Sequence, residues 1–443
     1  MRNDPFLTVP AEVPIRGPAK QPMVQAASGR RTVRSELARL YHKHAIAQTA
    51  YRGYLVVWSR ALTAAGNLTG TRATELAGVI ANLRTMAADG AFTGSRLPAL
   101  FLTLERNRQW WTTGPLLSFG DRVEFKGSPL IWEYYPGEGI ELTELGNFGK
   151  VDGYYTGGHR YWTRMRKLLD VLIPLAARRA HGIAWEYYFD FDGGVPPWTS
   201  GMSQGTALQA LSDAYKAFKD RSYLQVAKRA LPVFSAAPPT GVGVKTRLGR
   251  RYLLYSFAPG AAVLNGFLQT LIGLYAYARV SHNPTAKRLF AEGDAEARHE
   301  VPSYDTGAWS LYQPGEESDL SYHELVTGFL HKLCSRTHAR VYCVTAQHFD
   351  AYLKTPPALT LLTTRLAART AGAIKFRLSK ISHVGIVVLR GAQTVFETSA
   401  SFAYGVHAFA VPALGKGRYT VRLAATDLAG NFSRIIRQVQ VGR

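Results

Sequence analysis

The spacing of apolar residues changes character along this chain and predicts its elements in order. From Ser35 to about Ala64, Leu37, Leu40, Tyr41, Ile46, Tyr51, Leu55 and Trp58 recur at helical intervals until Gly66, which predicts one long helix. A second helix is expected near Ala73–Ala88, ended by Asp89-Gly90. Between Leu116 and Tyr135 the runs Val123–Phe125 and Leu130–Tyr135 alternate around glycine and proline, which predicts two or three strands closed by a turn at Tyr134–Gly139. The helical period returns from about Gly157 to His181. Three helical pairs follow, Thr206–Phe218 with Tyr223–Phe234, Ala261–Arg279 with Thr285–Glu296, and Tyr322–Ser335 with Val341–Leu353. Pro356-Pro357 marks a boundary. Beyond it six short alternating runs, Phe376–Leu378, Val384–Leu389, Thr394–Thr398, Val406–Ala410, Tyr419–Ala425 and Arg434–Val441, predict an antiparallel β-sandwich.

The expected fold class is therefore multidomain α+β: a helical α/α toroid (an incomplete barrel), a preceding β-rich segment and a C-terminal β-sandwich. An irregular helical bundle is the plainer alternative for the helices. The expected domains are a disordered N-terminus over 1–30, a helical region over 31–115, the β-rich segment plus toroid over 116–355, and the sandwich over 356–443. Hairpins strung on Gly/Pro-rich loops set those loops around a concave mouth, where a chain-like ligand fits.

Composition narrows the partners. Apolar residues make up 47% of the chain and charged ones 19%, enough for real cores and too little charge for a disordered protein. The balance is 53 Lys+Arg against 31 Asp+Glu, net +22, which favours a polyanionic partner or reflects a generally basic protein. After Pro356 there are twelve basic residues against Glu397 and Asp427. No 18-residue apolar run predicts a membrane span, and the proline-dotted N-terminus reads as a lead-in lacking the apolar core of a signal peptide. The default compartment is cytoplasmic, with export left open, as is a homodimer. Cys334 and Cys343 read as two ordinary thiols in preference to a local bridge or a zinc site with His331 and His338.

Two motifs stand out, VPPWTSGMSQGTALQAL (Val195–Leu211) and SYDTGAWSLYQPGEESDLSYHEL (Ser303–Leu325). Their glycines suggest close backbone approach to a ligand, and their aromatics suggest stacking on a sugar ring. WEYYFDFDGG (Trp185–Gly194) holds Glu186, Asp190 and Asp192, which suits either paired-carboxylate chemistry or calcium ligation, with nothing further to support the metal. No phosphate loop, nucleophile elbow or zinc-protease motif occurs, so no cofactor and no metal are expected. No basic recognition helix accompanies the aromatics, so no nucleic acid is expected either.

The motifs resemble the C-terminal domain of the D-glucuronyl C5-epimerase family over about Ile131–Pro356. The best stretches are Trp198–Gly205, Tyr255–Tyr277, Tyr304–Tyr312 and Tyr322-His323, with Glu133–Lys150 (EYYPGEGIELTELGNFGK) resembling the family's substrate-cleft segment. The resemblance implies inversion of C5 of D-glucuronate in an acidic, heparosan-type polysaccharide, by removing a proton α to the carboxylate and returning one to the opposite face. One group acts as base and another as acid, and donors stabilise the enolate.

On this reading Tyr322 is an acid/base group oriented by His323, Tyr312 is a second acid/base or carboxylate donor, and Tyr255 binds substrate near Asn265. The resemblance also implies substrate contacts from Tyr134, Tyr135, Glu141, Trp198, Gln204, Tyr304 and Asp305. Arg250 and Arg251 read either as a carboxylate clamp or as a solvated basic turn. Three positions depart from the family pattern: Leu254 stands where a catalytic glutamate precedes the tyrosine, Gln313 where an arginine follows, and Val326 where a second histidine lies. Glu133, Glu141, Glu186 or Glu316 are then candidates for the missing carboxylate. Two other readings share these residues, a polysaccharide lyase that eliminates after the same proton abstraction, and a non-catalytic glycan-binding protein. The last hairpin, GRYTVRLAATDLAGNFS, resembles Ig-like or fibronectin-like modules, which position or tether.

Overall fold

A kink at His44, whose φ is 54°, divides the expected first helix into α1 (Val33–His42) and α2 (Gln48–Asn67). The computed structural model describes residues 31–442, so the expected disordered lead at 1–30 lies outside the described residues. The chain divides into two compact units, Met1–Ala261 with Gln269–Glu296, and Ala262–Leu268 with Ala297–Arg443.

The first unit begins with α1, α2, α3 (Gly70–Ala88) and α4 (Leu97–Thr113). Strands β1 (Arg122–Glu124), β2 (Ile131–Tyr135) and β3 (Gly139–Leu142) form one antiparallel sheet in which Glu133 lies opposite Glu141. The Gly137–Gly139 turn folds over α3, where the Glu75 carboxylate accepts the N–H groups of Gly137 and Gly139 and the Tyr134 hydroxyl. Helices α5 (Glu144–Thr156) and α6 (Trp162–Leu172) come next. The helix expected to reach His181 stops earlier: a 3-10 turn with Pro174 follows α6 at Ile173–Leu175, and Ala180 and His181 take positive φ in the tight hairpin of β4 (Ala177–Arg179) and β5 (Gly182–Ala184).

Helix α7 (Gly201–Phe218) is capped by Ser200, whose hydroxyl accepts the Ser203 N–H, and ends at Lys219 with φ 58°. Its amphipathic pattern predicts one buried face, yet every residue from Gly201 to Ala214 is buried. The polar ones are satisfied within the fold: Thr206 and Ser212 donate to carbonyls one turn back, and Gln209 donates to Asp152 on α5. Helix α8 (Ser222–Ala230) packs back on α7 and leads into the short α9 (Pro232–Ser235) and the hairpin of β6 (Gly243–Lys245) and β7 (Arg250–Tyr252). Helices α10 (Leu264–Ser281) and α11 (Pro284–Glu300) follow. A Cβ at Gly205 would sit 2.6 Å from the Thr270 Cα, and one at Gly273 would overlap the Gly205 carbonyl, so α7 and α10 touch backbone to backbone. The glycines expected to admit a ligand instead let two helices meet.

In the second unit, β8 (Leu311–Gln313) and β9 (Glu316–Glu317) form a small hairpin ahead of α12 (Leu320–Thr337) and α13 (Arg340–Tyr352). Cys334 and Cys343, expected as thiols, are joined by a disulfide across the α12–α13 turn, their Cα atoms 4.9 Å apart. The six expected C-terminal strands are present as β12 (Gly372–Leu378), β13 (Ser382–Arg390), β14 (Gln393–Phe402), β15 (Gly405–Val411), β16 (Gly417–Asp427) and β17 (Phe432–Gly442). Two strands the pattern missed precede them, β10 (Leu359–Leu361) and β11 (Arg365–Ala367). Sheets β10-β12-β15 and β11-β17-β16-β13-β14 share one core of Ile374, Phe376, Val384, Ile386, Val421 and Leu423 among others. Pairing is antiparallel as expected except for β11 with β17, which is parallel.

Pro356-Pro357 lies inside this unit. Buried Lys380 donates to the Tyr352 and Thr355 carbonyls, pairs with Asp427, and lies over the Trp309 ring. The Glu317 carboxylate accepts the N–H groups of Ile381 and Tyr404.

Candidate functional site

Tyr322 is held by the start of α12. Asp319 caps that helix by accepting the Tyr322 N–H at 2.8 Å, which places the phenol in the first turn. The Tyr312 ring, from β8, meets it edge-on at 4.9 Å between centroids. The Tyr312 hydroxyl and the Asn265 amide both reach the Tyr322 oxygen and would stabilise a phenolate. The Asn265 Oδ1 accepts the Gly266 N–H, which leaves its amide nitrogen to donate toward the phenol. Burial outweighs these donors and, with the Asp319 charge, raises the pKa of Tyr322 above the ordinary tyrosine value. The narrow crevice between them, too tight in this conformation to hold a water, is lined by Leu264, Ser318 and Val326 as well.

His323, expected to orient Tyr322, is fully buried. Its Nδ1 bonds Ser310 Oγ at 2.8 Å and its Nε2 bonds the Phe349 carbonyl at 2.9 Å, while the ring stacks on Trp309 at 3.8 Å. Both nitrogens are committed, so His323 acts on Tyr322 only through the helix they share. Burial pushes its pKa down to about 4. Tyr304 donates to the Ala262 carbonyl, and Asp305 accepts from the Gly307 N–H, the Tyr352 hydroxyl and His348. These two residues brace the loop ahead of the motif. The hydroxyls and carboxylate oxygens that would meet a sugar are already occupied.

The first unit carries a second set. Tyr187, Phe189 and Trp198 form a buried aromatic cluster, with Tyr135, Phe191, Tyr255 and Phe257 packed against it. Trp198 stacks on Tyr187 at 4.3 Å and donates its Nε1–H to the Phe189 carbonyl, so it is a core residue of the cluster. Tyr255 is half-buried and stacks on Phe257 at 5.3 Å. Gln204 is fully buried, with its amide bonded both ways to the Trp185 backbone. Tyr134 is tied to Glu75. Those three contacts hold structure where substrate contact was expected.

Beside this cluster the Tyr135 hydroxyl donates to Glu133 at 2.8 Å, and Arg122 stands 3.4 Å from the other Glu133 oxygen. Three more carboxyl groups, two buried and one half-buried, lie nearby in sequence without a cation. Glu141 has one oxygen with no partner, Glu144 has none for either oxygen, and burial drives both pKa values well up. Glu138, half-buried on the β2–β3 turn, is pushed up to about 7 by burial, against the opposing Asn82 hydrogen bond and with the Asp190 charge adding to the rise. Sequence reasoning named Glu141 and missed Glu138 and Glu144. The signal was present in EYYPGEGIELTEL, a strand–turn–strand in which carboxylates recur at positions that ought to be apolar.

The other candidates are committed to structure. Glu186 is gripped by Arg96 at 2.7 and 3.0 Å and by Arg179 at 2.6 Å, which removes it as a base or a calcium ligand. Glu316 is exposed and bonded to Gln313. Arg250 is buried on Glu292 at 3.0 Å and on the Ser235 carbonyl, so it is no carboxylate clamp. Arg251 is half-buried on the same strand. Leu254, where the family has its glutamate, is a buried apolar residue. Among the described residues, no three His, Cys, Asp or Glu gather to hold a metal, and no helix is long and apolar enough to cross a membrane.

Residues 179–351 match the family model for the D-glucuronyl C5-epimerase C-terminus. The chain is 34% identical over 131 residues to a D-glucuronyl C5-epimerase of Caenorhabditis elegans, covering 26% of this chain and 21% of that protein. It is 29% identical over 151 residues to an uncharacterized protein of Methanocaldococcus jannaschii, covering 32% and 49% respectively. The chain thus spans about a fifth and about half of the lengths of these relatives. Among solved structures, cellobiose 2-epimerase from Bacillus thermoamylovorans overlaps 49% of this chain and 62% of its own at a TM-score of 0.37 and 12% identity, a likeness too loose to argue from.

Proposed function

We propose, from the premise that residues 179–351 match the C-terminus of D-glucuronyl C5-epimerases, that this protein is an isomerase inverting C5 of D-glucuronate in an acidic polysaccharide of the heparosan type. The observation that carries the reading is the Tyr312–Tyr322 pair with Asn265, which lies within the matched segment. Epimerisation moves one proton off C5, leaving the electron pair on the carboxylate as an enolate, and delivers another to the opposite face. Tyr322, like any phenol, is protonated at neutral pH and serves as the donor, with burial making it a weaker acid than free tyrosine. Once it gives up its proton, the Tyr312 hydroxyl and Asn265 amide hold the phenolate.

The first unit, taken by itself, also carries carboxyl groups. Glu133, bonded to the Tyr135 phenol and beside Arg122, is a carboxylate able to accept a proton. Burial keeps Glu141 and Glu144 neutral inside the unit, and Glu138, half-buried and pushed up to about 7, is the one of the three accessible enough to hydrogen-bond an anionic substrate. The competing reading is a glycan-binding protein without turnover, and the observation favouring it is Leu254, an apolar residue where the family has a base.

Incubating the protein with heparosan in deuterated water tests the reading. The expected result is deuterium at C5 of the uronate. An ultraviolet-absorbing unsaturated uronate would identify a lyase, and binding with neither exchange nor elimination would identify the glycan-binding protein.

A further inference from the structure

The five-stranded sheet of the second unit has an outer face that none of the chemistry above uses. Strand register fixes which residues share rows across it. Ser399, Gly385, Ala424 and Arg434 stand side by side on β14, β13, β16 and β17, and the neighbouring row is Glu397, Val387, Arg422 and Ile436. On the other side run Ser401, His383, Thr426 and Phe432. The middle row is low and its neighbours are tall, so a groove of about 350 Å³ crosses the strands with Arg422 on its wall and Arg434 at its end. Four strands at ordinary spacing give it a length of about 14 Å.

Its chemistry points to an anionic chain. Arg422 and Arg434 are exposed, and neither has an ion-pair partner among the described residues. The guanidinium fork matches carboxylate and sulfate groups two oxygens at a time. The segment around the groove has twelve Lys and Arg against two acids, and one of those, Asp427, is buried on Lys380. With that pair set aside, eleven Lys and Arg of the segment remain against Glu397, which itself lines the groove. Phe432 is 57% exposed beside the groove and offers one apolar ring face, whereas a site for single-stranded nucleic acid uses several stacking platforms.

We propose that this groove is a second binding site for acidic polysaccharide, separate from the Tyr312–Tyr322 crevice, which holds the polymer on the protein. The choice of a polysaccharide over other polyanions rests on the epimerase reading above; the groove and its charge do not.

The full-length protein, its Arg422→Ala/Arg434→Ala variant and its Gly385→Leu variant would be titrated with heparosan, with neutral dextran and with a single-stranded oligodeoxynucleotide of matched charge. A Cβ at Gly385 meets nothing closer than the Ser399 Cβ at 4.0 Å, so leucine fills the groove without disturbing the sheet, and unchanged thermal unfolding checks this. The expected result is at least tenfold weaker heparosan binding in both variants, no dextran binding by the parent, and a weaker oligonucleotide complex. Heparosan binding equal to the parent in both variants, or oligonucleotide binding tighter than heparosan, would overturn the proposal. Tyr322→Phe keeps the two claims apart: it should lose C5 exchange while retaining heparosan affinity. Groove-dependent binding with no exchange by the parent would leave this site standing and remove the epimerase reading.

Discussion

The two units treat buried polar groups in opposite ways. In the second, the buried charged and ring groups are matched: Lys380 meets Asp427 and two carbonyls, and His323 has a partner on each nitrogen, which leaves the Ser433 hydroxyl as a bare neutral atom. In the first, Glu144 lies at 1% exposure with neither oxygen bonded, and Glu141 has one oxygen bare. An unmatched buried carboxyl costs free energy, on the order of a few kcal/mol, unless it takes up a proton. A fold that keeps such groups beside an aromatic cluster holds material for proton transfer there. In the second unit that material is confined to the Tyr312–Tyr322 pair, and the rest of the polar interior is scaffold.

Removing the phenol hydroxyl in Tyr322→Phe should produce the largest effect, a loss of C5–deuterium exchange of 10²-fold or more, the scale of general acid catalysis. Glu133→Gln makes the matching measurement in the first unit. A drop of similar size makes Glu133 necessary for exchange; unchanged exchange removes it from the reaction. Next in size are effects on folding. Gly205→Ala forces α7 away from α10 and should cost about 1–3 kcal/mol or more in urea unfolding, as overpacking does. Cys334→Ser opens a nine-residue span in the second unit and should cost about 2–3 kcal/mol by chain entropy, read as a lower melting temperature that reductant reproduces in the parent protein.

The remaining effects are in pH dependence, and they run in opposite directions. Asp213, buried next to Asp152, is raised to about 7 by burial and by that neighbouring acid. The folded chain then holds a proton that the unfolded chain releases near 4, so this contribution to stability is full at low pH and is lost as pH rises toward about 7. His323 is depressed to about 4, so the unfolded chain takes a proton first and stability is lost as pH falls from about 6.5 to about 4. Urea midpoints against pH should show Asp213→Asn flattening the first slope and leaving the second. If the first slope survives that substitution, burial of Asp213 is not its source.

Much of the architecture was legible from period alone. Helices α7, α8, α12 and α13 and six of the eight C-terminal strands fall where the apolar pattern places them, because a repeat of 3.6 or 2 is set by backbone geometry. The misses were local. His44 breaks a helix through positive φ at a non-glycine residue, and Ala180-His181 turn a hairpin the same way, which no apolar pattern announces. The strands β10 and β11 are only three residues long, too short to show alternation.

The site was less legible, since a residue's type does not say whether its polar atoms are already engaged. Trp198, Gln204, Tyr304, Asp305 and Arg250 looked like ligand contacts and serve as internal braces. What the sequence determined by itself is the succession of helices and strands, the basic surplus and the family resemblance, each a property of local order or composition. Tertiary structure alone decided which glycines bring helices together, which carboxyls are left bare, that the cysteines are bridged, and that a groove crosses the outer sheet. Those depend on atoms distant in the chain coming within a few ångströms, and only the folded chain sets such distances.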